Sequence, residues 1–189
     1  MDERIKEDVK LVINSDILID SCVLIYCGDN KHKDFSKKLL RLLANNGNKL
    51  AISEFSGFEV IKNYQNKDNF DYYLNLINFV ENREVTRGIL IIAATLHKHY
   101  NKRYNAHDNE GCMQAGDLII GATSAEKQTL LLTSDVEDFP EPSWKIIAQT
   151  YNVYNDGRKK KILNYYLLKF DASVVQESDL RERLKLYIN

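Results

Sequence analysis

Strand and helix patterns alternate over residues 16–150, which predicts an α/β sandwich with a mainly parallel sheet. Two further observations refine that class. Apolar strand patterns stop abruptly at isolated carboxylates, ILIDS at Asp20 and LLLTSD at Asp135, as happens at the functional edge of such sheets. Near the C-terminus an Asp-Gly pair, Asp156-Gly157, is flanked by strand-forming residues, a strong signal for an antiparallel β-hairpin. The expected organisation is one domain over 1–150, followed by a hairpin and short helix over 151–189 packed on the same domain.

The charged opening ERIKEDVKLVI has the pattern of a short amphipathic helix, and the first strand follows from Ile17 to Asp20. In FSKKLLRLLANNG the apolar residues Phe35, Leu39, Leu42 and Leu43 recur at helical spacing, and Gly47 suits the C-terminal cap. A strand over Leu50 to Ser53 leads into a helix carrying Glu59. Phe70, Leu74, Ile77 and Val80 predict a helix over 69–82, and TRGILIIAATLHKHY predicts another over 86–100. A polar segment from Asn101 to about Cys112 precedes GDLIIGATSAEK, the helix opened by Asp117, and a strand over Thr129 to Ser134 comes next. Pro140 and Pro142 interrupt regular structure before WKIIA resumes as a strand. The two arms of the hairpin lie on either side of Asn155-Asp156-Gly157, and SDLRERLKLY, with Ser178 as N-cap, predicts the closing helix.

Composition narrows the function classes. At 189 residues, with 44% hydrophobic and 28% charged residues, the chain can bury a core and is not of disordered composition. Its longest apolar stretches, such as ILIIAATL, are far shorter than the roughly 20 residues of a membrane span. The opening MDERIKEDVK is charged where a signal peptide has its apolar core, so a cytoplasmic protein is expected. Cys22, Cys27 and Cys112 lack CxxC spacing and read as reduced thiols. A net charge of −1 does not announce nucleic-acid binding, although Arg158, Lys159, Lys160 and Lys161 form a local basic run. With Tyr151, Tyr154, Tyr165 and Tyr166 nearby, that run is a candidate RNA contact.

Asp20 and Asp135 at strand ends, Asp117 at a helix start and Glu59 early in another helix can reach one crevice. Two like charges about 4 Å apart repel by roughly 4 kcal/mol at an effective dielectric near 20, so such a cluster calls for a cation. Oxygen donors select magnesium or manganese, and magnesium keeps several of its waters while binding one or two carboxylates. That chemistry suits phosphodiester hydrolysis.

In this order the motifs resemble the PIN-domain nucleases, the family that includes the VapC-type toxins. ILIDSCVLIY resembles the opening motif, with its acid at Asp20 and a hydroxyl after it at Ser21. AISEFSGFEVI resembles the second, with Ser53 and Glu59, and AGDLIIGATSAE the third, with Asp117. LLLTSDVEDF resembles the fourth, with Thr133, Asp135, Asp138 and Phe139. The likeness covers residues 16 to about 150. It implies a three-layer α/β/α fold and a magnesium- or manganese-dependent endonuclease, usually acting on RNA and leaving a 5′-phosphate and a 3′-hydroxyl. Asp20, Glu59, Asp117 and Asp135 would hold metal directly or through water, with Asp138, Ser21 and Thr133 around them. An antitoxin protein and a homodimer are the partners the family implies. This chain departs from the pattern at Cys22, where the family commonly has asparagine, and in its C-terminal hairpin.

Each residue also has a plainer reading. Ser56-x-x-Glu59 is a capping box, Asp117 a possible N-cap, and Asp138 a turn residue before Pro140. Glu54 and Glu137 read as solvated neighbours. His97 and His99 are two apart on a helix and face different ways, so a zinc site with His107 and Asp108 is rejected. A haloacid-dehalogenase-type phosphatase also begins with an aspartate at a strand end, but needs another two residues on, where Cys22 stands. The alternative to an enzyme is an inactive PIN-like scaffold that binds RNA or protein.

Overall fold

A computed structural model describes residues 7–62, 67–104 and 114–174. After a single helical turn, α1 (Glu7–Lys10), come β1 (Asp16–Ile19), α2 (Ser21–Tyr26), α3 (Lys33–Asn45), β2 (Lys49–Ser53), α4 (Glu54–Lys62) and α5 (Lys67–Phe79). Then follow β3 (Glu81–Arg83), α6 (Arg87–Tyr104), α7 (Ala115–Lys127), β4 (Leu130–Thr133), β5 (Trp144–Asp156) and β6 (Lys159–Phe170). The strands form one sheet in the order β3-β2-β1-β4-β6-β5. The first four are parallel, and β6 and β5 run antiparallel.

Side chains alternate across β1, so Ile17 and Ile19 face one way and Leu18 the other. Ile17, Ile19, Ile52, Leu132 and Leu167 pack with Val23, Leu24, Leu39, Leu43, Val60 and Tyr73 from α2 to α5. On the opposite face Leu18, Ala51, Leu131, Leu168 and Trp144 pack with Ile89, Ile92 and Leu96 of α6 and with Leu118, Ile120 and Ala122 of α7. The result is a three-layer α/β/α sandwich. Cover on both faces is why β1, β2 and β4 are nearly uninterrupted apolar runs.

Several boundaries differ from expectation. The six residues SCVLIY form α2, where no helix is expected, because the chain turns directly out of β1 with Asp20 at the N-cap position. The helix predicted over 69–82 ends at Phe79, and Glu81–Arg83 joins the sheet beside β2. Helix α6 continues to Tyr104, so the expected polar segment is helical at its start. The closing helix from Ser178, together with Cys112, His107, Asp108 and the first residues of the predicted N-terminal helix, lies outside the described residues.

The hairpin does more than pack on the sandwich. WKIIA and the first hairpin strand are one 13-residue strand, β5, with an irregularity between Ile146 and Ala148. β6 pairs with β4 from Leu130↔Lys169 to Thr133↔Tyr166, which adds the hairpin to the sheet as its last two strands. Beyond that last pair β5 and β6 continue together from Thr150↔Tyr165 to Asp156↔Lys159. At about 3.4 Å per residue this arm projects roughly 20 Å past the end of β4, on the edge where Asp20 and Asp135 lie. Gly157, at φ 63°, supplies the left-handed residue its tip requires.

Candidate active site at the acidic sheet edge

The backbone N–H of Asp20 donates to the Leu132 carbonyl at 3.0 Å, which carries the β1–β4 pairing one residue past the strand and fixes where the carboxylate emerges. That carboxylate is only 3% exposed. The Thr133 hydroxyl donates to its Oδ2 at 2.6 Å and the Cys22 thiol donates to the same oxygen at 3.1 Å. The Ser21 hydroxyl reaches Oδ1 at 3.3 Å. Burial raises the Asp20 pKa against the opposing effect of these donors.

Thr133 also receives the backbone N–H of Asp135 on its hydroxyl oxygen, at 3.0 Å, so one side chain aligns two carboxylate-bearing segments. Asp135 itself is exposed. Asp138 follows in the turn that closes with Phe139 N–H bonded to the Val136 carbonyl at 3.1 Å. Desolvation, then the charges of Asp135 and Asp20, push its carboxyl up to about 6.

Asp117 is the third residue of α7, and Gln114 occupies the N-cap position, so the N-cap reading of Asp117 does not hold. Desolvation pushes Asp117 up to about 7, followed in order by the charges of Asp138, Asp20, Glu59 and Asp135. Five carboxylates from four segments of chain therefore share one electrostatic environment. Glu59 reaches it from the middle of α4: a Cβ placed on Gly116 would meet Glu59 Oε1 at 2.8 Å and Phe55 Cε1 at 2.7 Å. Glycine there lets the start of α7 touch α4.

The capping-box reading of Glu59 also fails. α4 begins at Glu54, so Ser56 lies inside the helix, and its buried hydroxyl makes no hydrogen bond among the described residues. The hydroxyl near the helix start is that of Ser53, which accepts the Phe55 N–H at 3.3 Å. Lys62 Nζ, 3.7 Å away, is the cation nearest Glu59 that the described ion pairs give it. Glu54 is more than a solvated neighbour, because its carboxylate accepts the Val85 N–H at 3.1 Å and ties down the entry to α6.

Sequence reasoning missed Ser134 and Tyr26. Ser134 donates to the Cys22 sulfur through its hydroxyl at 3.1 Å and its N–H at 3.4 Å, so the cysteine is an integral link between Asp20 and the end of β4. The Tyr26 hydroxyl interacts with the Ser134 side chain. Cys22 and Tyr26 are four apart on α2 and share a face, a signal that becomes visible only once SCVLIY is known to be helical.

Among the described residues no group of three or more His, Cys, Asp or Glu side chains is arranged to hold a metal ion. The donor chemistry nevertheless fits a hard divalent cation: the converging groups are carboxylates and hydroxyls, and desolvation, then the neighbouring carboxylates, raise Asp117 and Asp138. Magnesium, which keeps much of its water, does not require a closed protein cage. At the far end of the arm Arg158, Lys159, Lys160 and Lys161 are exposed, and Asp156 pairs with both Lys161 and Lys31.

No protein-family model matches the sequence, and no curated protein matches it. Solved structures do. The chain is similar to a chain of VapBC2 from Rickettsia felis bound to a promoter DNA fragment, at 19% identity and a TM-score of 0.50, covering 66% of this chain and 90% of that one. It is similar to a chain of a toxin-antitoxin complex from Klebsiella pneumoniae at 19% identity and a TM-score of 0.50, covering 67% and 92%. At this identity the likeness bears on the fold, an α/β/α sandwich shared over about two thirds of the chain. No helix among the described residues is long and apolar enough to cross a membrane.

Proposed function

We propose that this chain is a divalent-metal-dependent endoribonuclease of PIN type, the toxin of a toxin-antitoxin pair. The observation that carries this reading is the set of charges acting on Asp117: Asp138, Asp20, Glu59 and Asp135, brought together at the C-terminal edge of a parallel sheet. Magnesium or manganese, when bound, would activate a water and neutralise charge on the phosphate. Asp20, Glu59, Asp117, Asp135 and Asp138 are the residues that would hold it, directly or through water. Thr133 and Cys22 keep Asp20 in one orientation, and Thr133 keeps Asp135 in register with it. Desolvation and these neighbouring charges push Asp117 up to about 7 in the metal-free chain, so binding of a cation there would release a proton near neutral pH.

The resemblance of the motifs extends the reading to RNA as substrate, with a 5′-phosphate and a 3′-hydroxyl as products. The fold neighbours come from toxin-antitoxin assemblies, which supports an antitoxin that would cover the acidic edge. A cytoplasmic location and a homodimer belong to the same reading.

Purified chain with magnesium or manganese should cut single-stranded RNA, and Asp20→Asn should not. Manganese titration by calorimetry should show binding that depends on Asp117 and Asp135. If neither metal supports cleavage of RNA or single-stranded DNA, and manganese binding is the same in wild type, Asp117→Asn and Asp135→Asn, the inactive scaffold replaces this reading.

A further inference from the structure

The arm formed by β5 and β6 overhangs the acidic edge, and its inner side is joined to that edge by a row of rings. Tyr26, beside Ser134, stands with its ring centroid 4.9 Å from that of His32, and His32 stands 4.4 Å from Tyr154 on the arm. His32 is buried, and its Nδ1 lies 3.3 Å from the Asn152 side-chain nitrogen, so it wedges the arm against the body of the sandwich. Tyr26 and Tyr154 are only partly covered. Past Tyr154 a groove of about 400 Å³ opens between the arm and α3, lined by Lys31, Phe35, Lys38, Asn152 and Tyr154 among others. The tip beyond it carries exposed Arg158, Lys159 and Lys160.

Aromatic rings interleaved with lysines and arginines are the chemistry of single-strand recognition, in which unpaired bases stack and cations follow the phosphates. A groove of this volume suits one small planar ligand, such as a base, rather than a duplex. Asn155, exposed on the arm, adds an amide able to bond a base edge. We infer that the arm is a single-strand guide: RNA lying across the acidic edge continues over Tyr26, places a base in the Tyr154 groove, and sets its phosphates against Arg158, Lys159 and Lys160. This role rests on the nuclease reading for its purpose, but its binding is measurable without cleavage.

The test is fluorescence anisotropy of a labelled 12-nucleotide single-stranded RNA with the full chain in chelator, where nothing is cut. The triple variant Arg158→Ala, Lys159→Ala, Lys160→Ala alters only exposed side chains and should bind roughly tenfold more weakly. Its plot of log affinity against log salt should be shallower by about 2, the loss of three phosphate contacts at about 0.7 each. Tyr154→Ala should weaken binding by about tenfold through lost stacking, with little change in that slope. Wild-type affinity and salt slope in the triple variant would overturn the guide, as would equal affinity of the wild type for a duplex of the same length. A chain that cuts RNA but binds it without the arm removes the guide alone. Binding that depends on the arm, in a chain that cuts nothing with either metal, supports the guide and removes the nuclease reading.

Discussion

The acidic edge and the hairpin arm hold carboxylates under opposite conditions. At the edge Asp117 is pushed up to about 7 and Asp138 to about 6, by desolvation and by neighbouring carboxylates. On the arm Asp156 is pulled down to about 2 by Lys161 and Lys31, and at its foot Asp171 is pulled down to about 2 by Lys145 and Ser173. The arm answers its acids from within the chain, whereas the edge leaves most of its charge to be answered from outside. Carboxylates kept apart from internal cations in this way are a feature of sites that recruit a ligand, and that contrast separates the edge from an ordinary solvated surface.

The largest expected effect is at the edge. Asp135→Asn and Asp20→Asn should each lower RNA cleavage by on the order of 100-fold or more, with unchanged circular dichroism, since each removes a carboxylate that would hold the cation. Cleavage at the wild-type rate by either variant would reduce the edge to a surface feature. Thr133→Val, which deletes the bonds to Asp20 and Asp135 while keeping the volume, should cost about 10-fold to 100-fold in activity or manganese affinity.

For stability the order follows burial. Leu18→Ala in β1 should cost about 2–5 kcal/mol in urea titration, because the strand is covered on both faces. The two carboxylate populations should then give pH dependences of opposite sign. Folded Asp117 and Asp138 hold protons that the unfolded chain has released, so metal-free stability should fall as pH rises from about 4 to about 7. Discounted for partial exposure, that fall is on the order of 1–2 kcal/mol. Asp117→Asn should flatten it, and manganese at pH 7 should reverse it, both read as thermal midpoints. Asp171 has a depressed pKa, so its contribution is present above about 4 and lost as pH falls toward 2, and for a partly exposed pair it is under about 1 kcal/mol. Gly157→Ala at the tip meets open space but a positive φ, and should cost roughly 1 kcal/mol.

The acids were legible in the sequence because aspartate is disfavoured inside strands, so an apolar run that stops at Asp20 or Asp135 marks a strand end. The double cover of the sheet was legible in the same runs. α2 was not, since six mostly apolar residues directly after a strand carry no period and no capping bond. β3 was hidden for the opposite reason: Glu-Asn-Arg has no apolar residue, and only pairing with Ala51, Ile52 and Ser53 makes it a strand. The Asp-Gly turn announced a hairpin, but its pairing with β4 and its reach past the acidic edge depend on tertiary register, which local pattern does not encode. Cys22 was visible as a departure from the family motif. That its sulfur bridges Asp20 and Ser134 could be learned only from the fold.

The hairpin also bears on the order in which the chain can assemble. Asp156 and Lys159 close a two-residue loop, whereas Asp16 and Lys49 in β1 and β2 must find each other across more than thirty residues. Loop closure is therefore cheapest in entropy at the arm, and the pairing of β5 with β6 needs no prior structure to begin. The parallel strands that display the acids have no such local route. In pulse-labelled hydrogen exchange the amides of β5 and β6 should gain protection before those of β1 and β2, so that the late part of the chain becomes the template on which the earlier part is ordered.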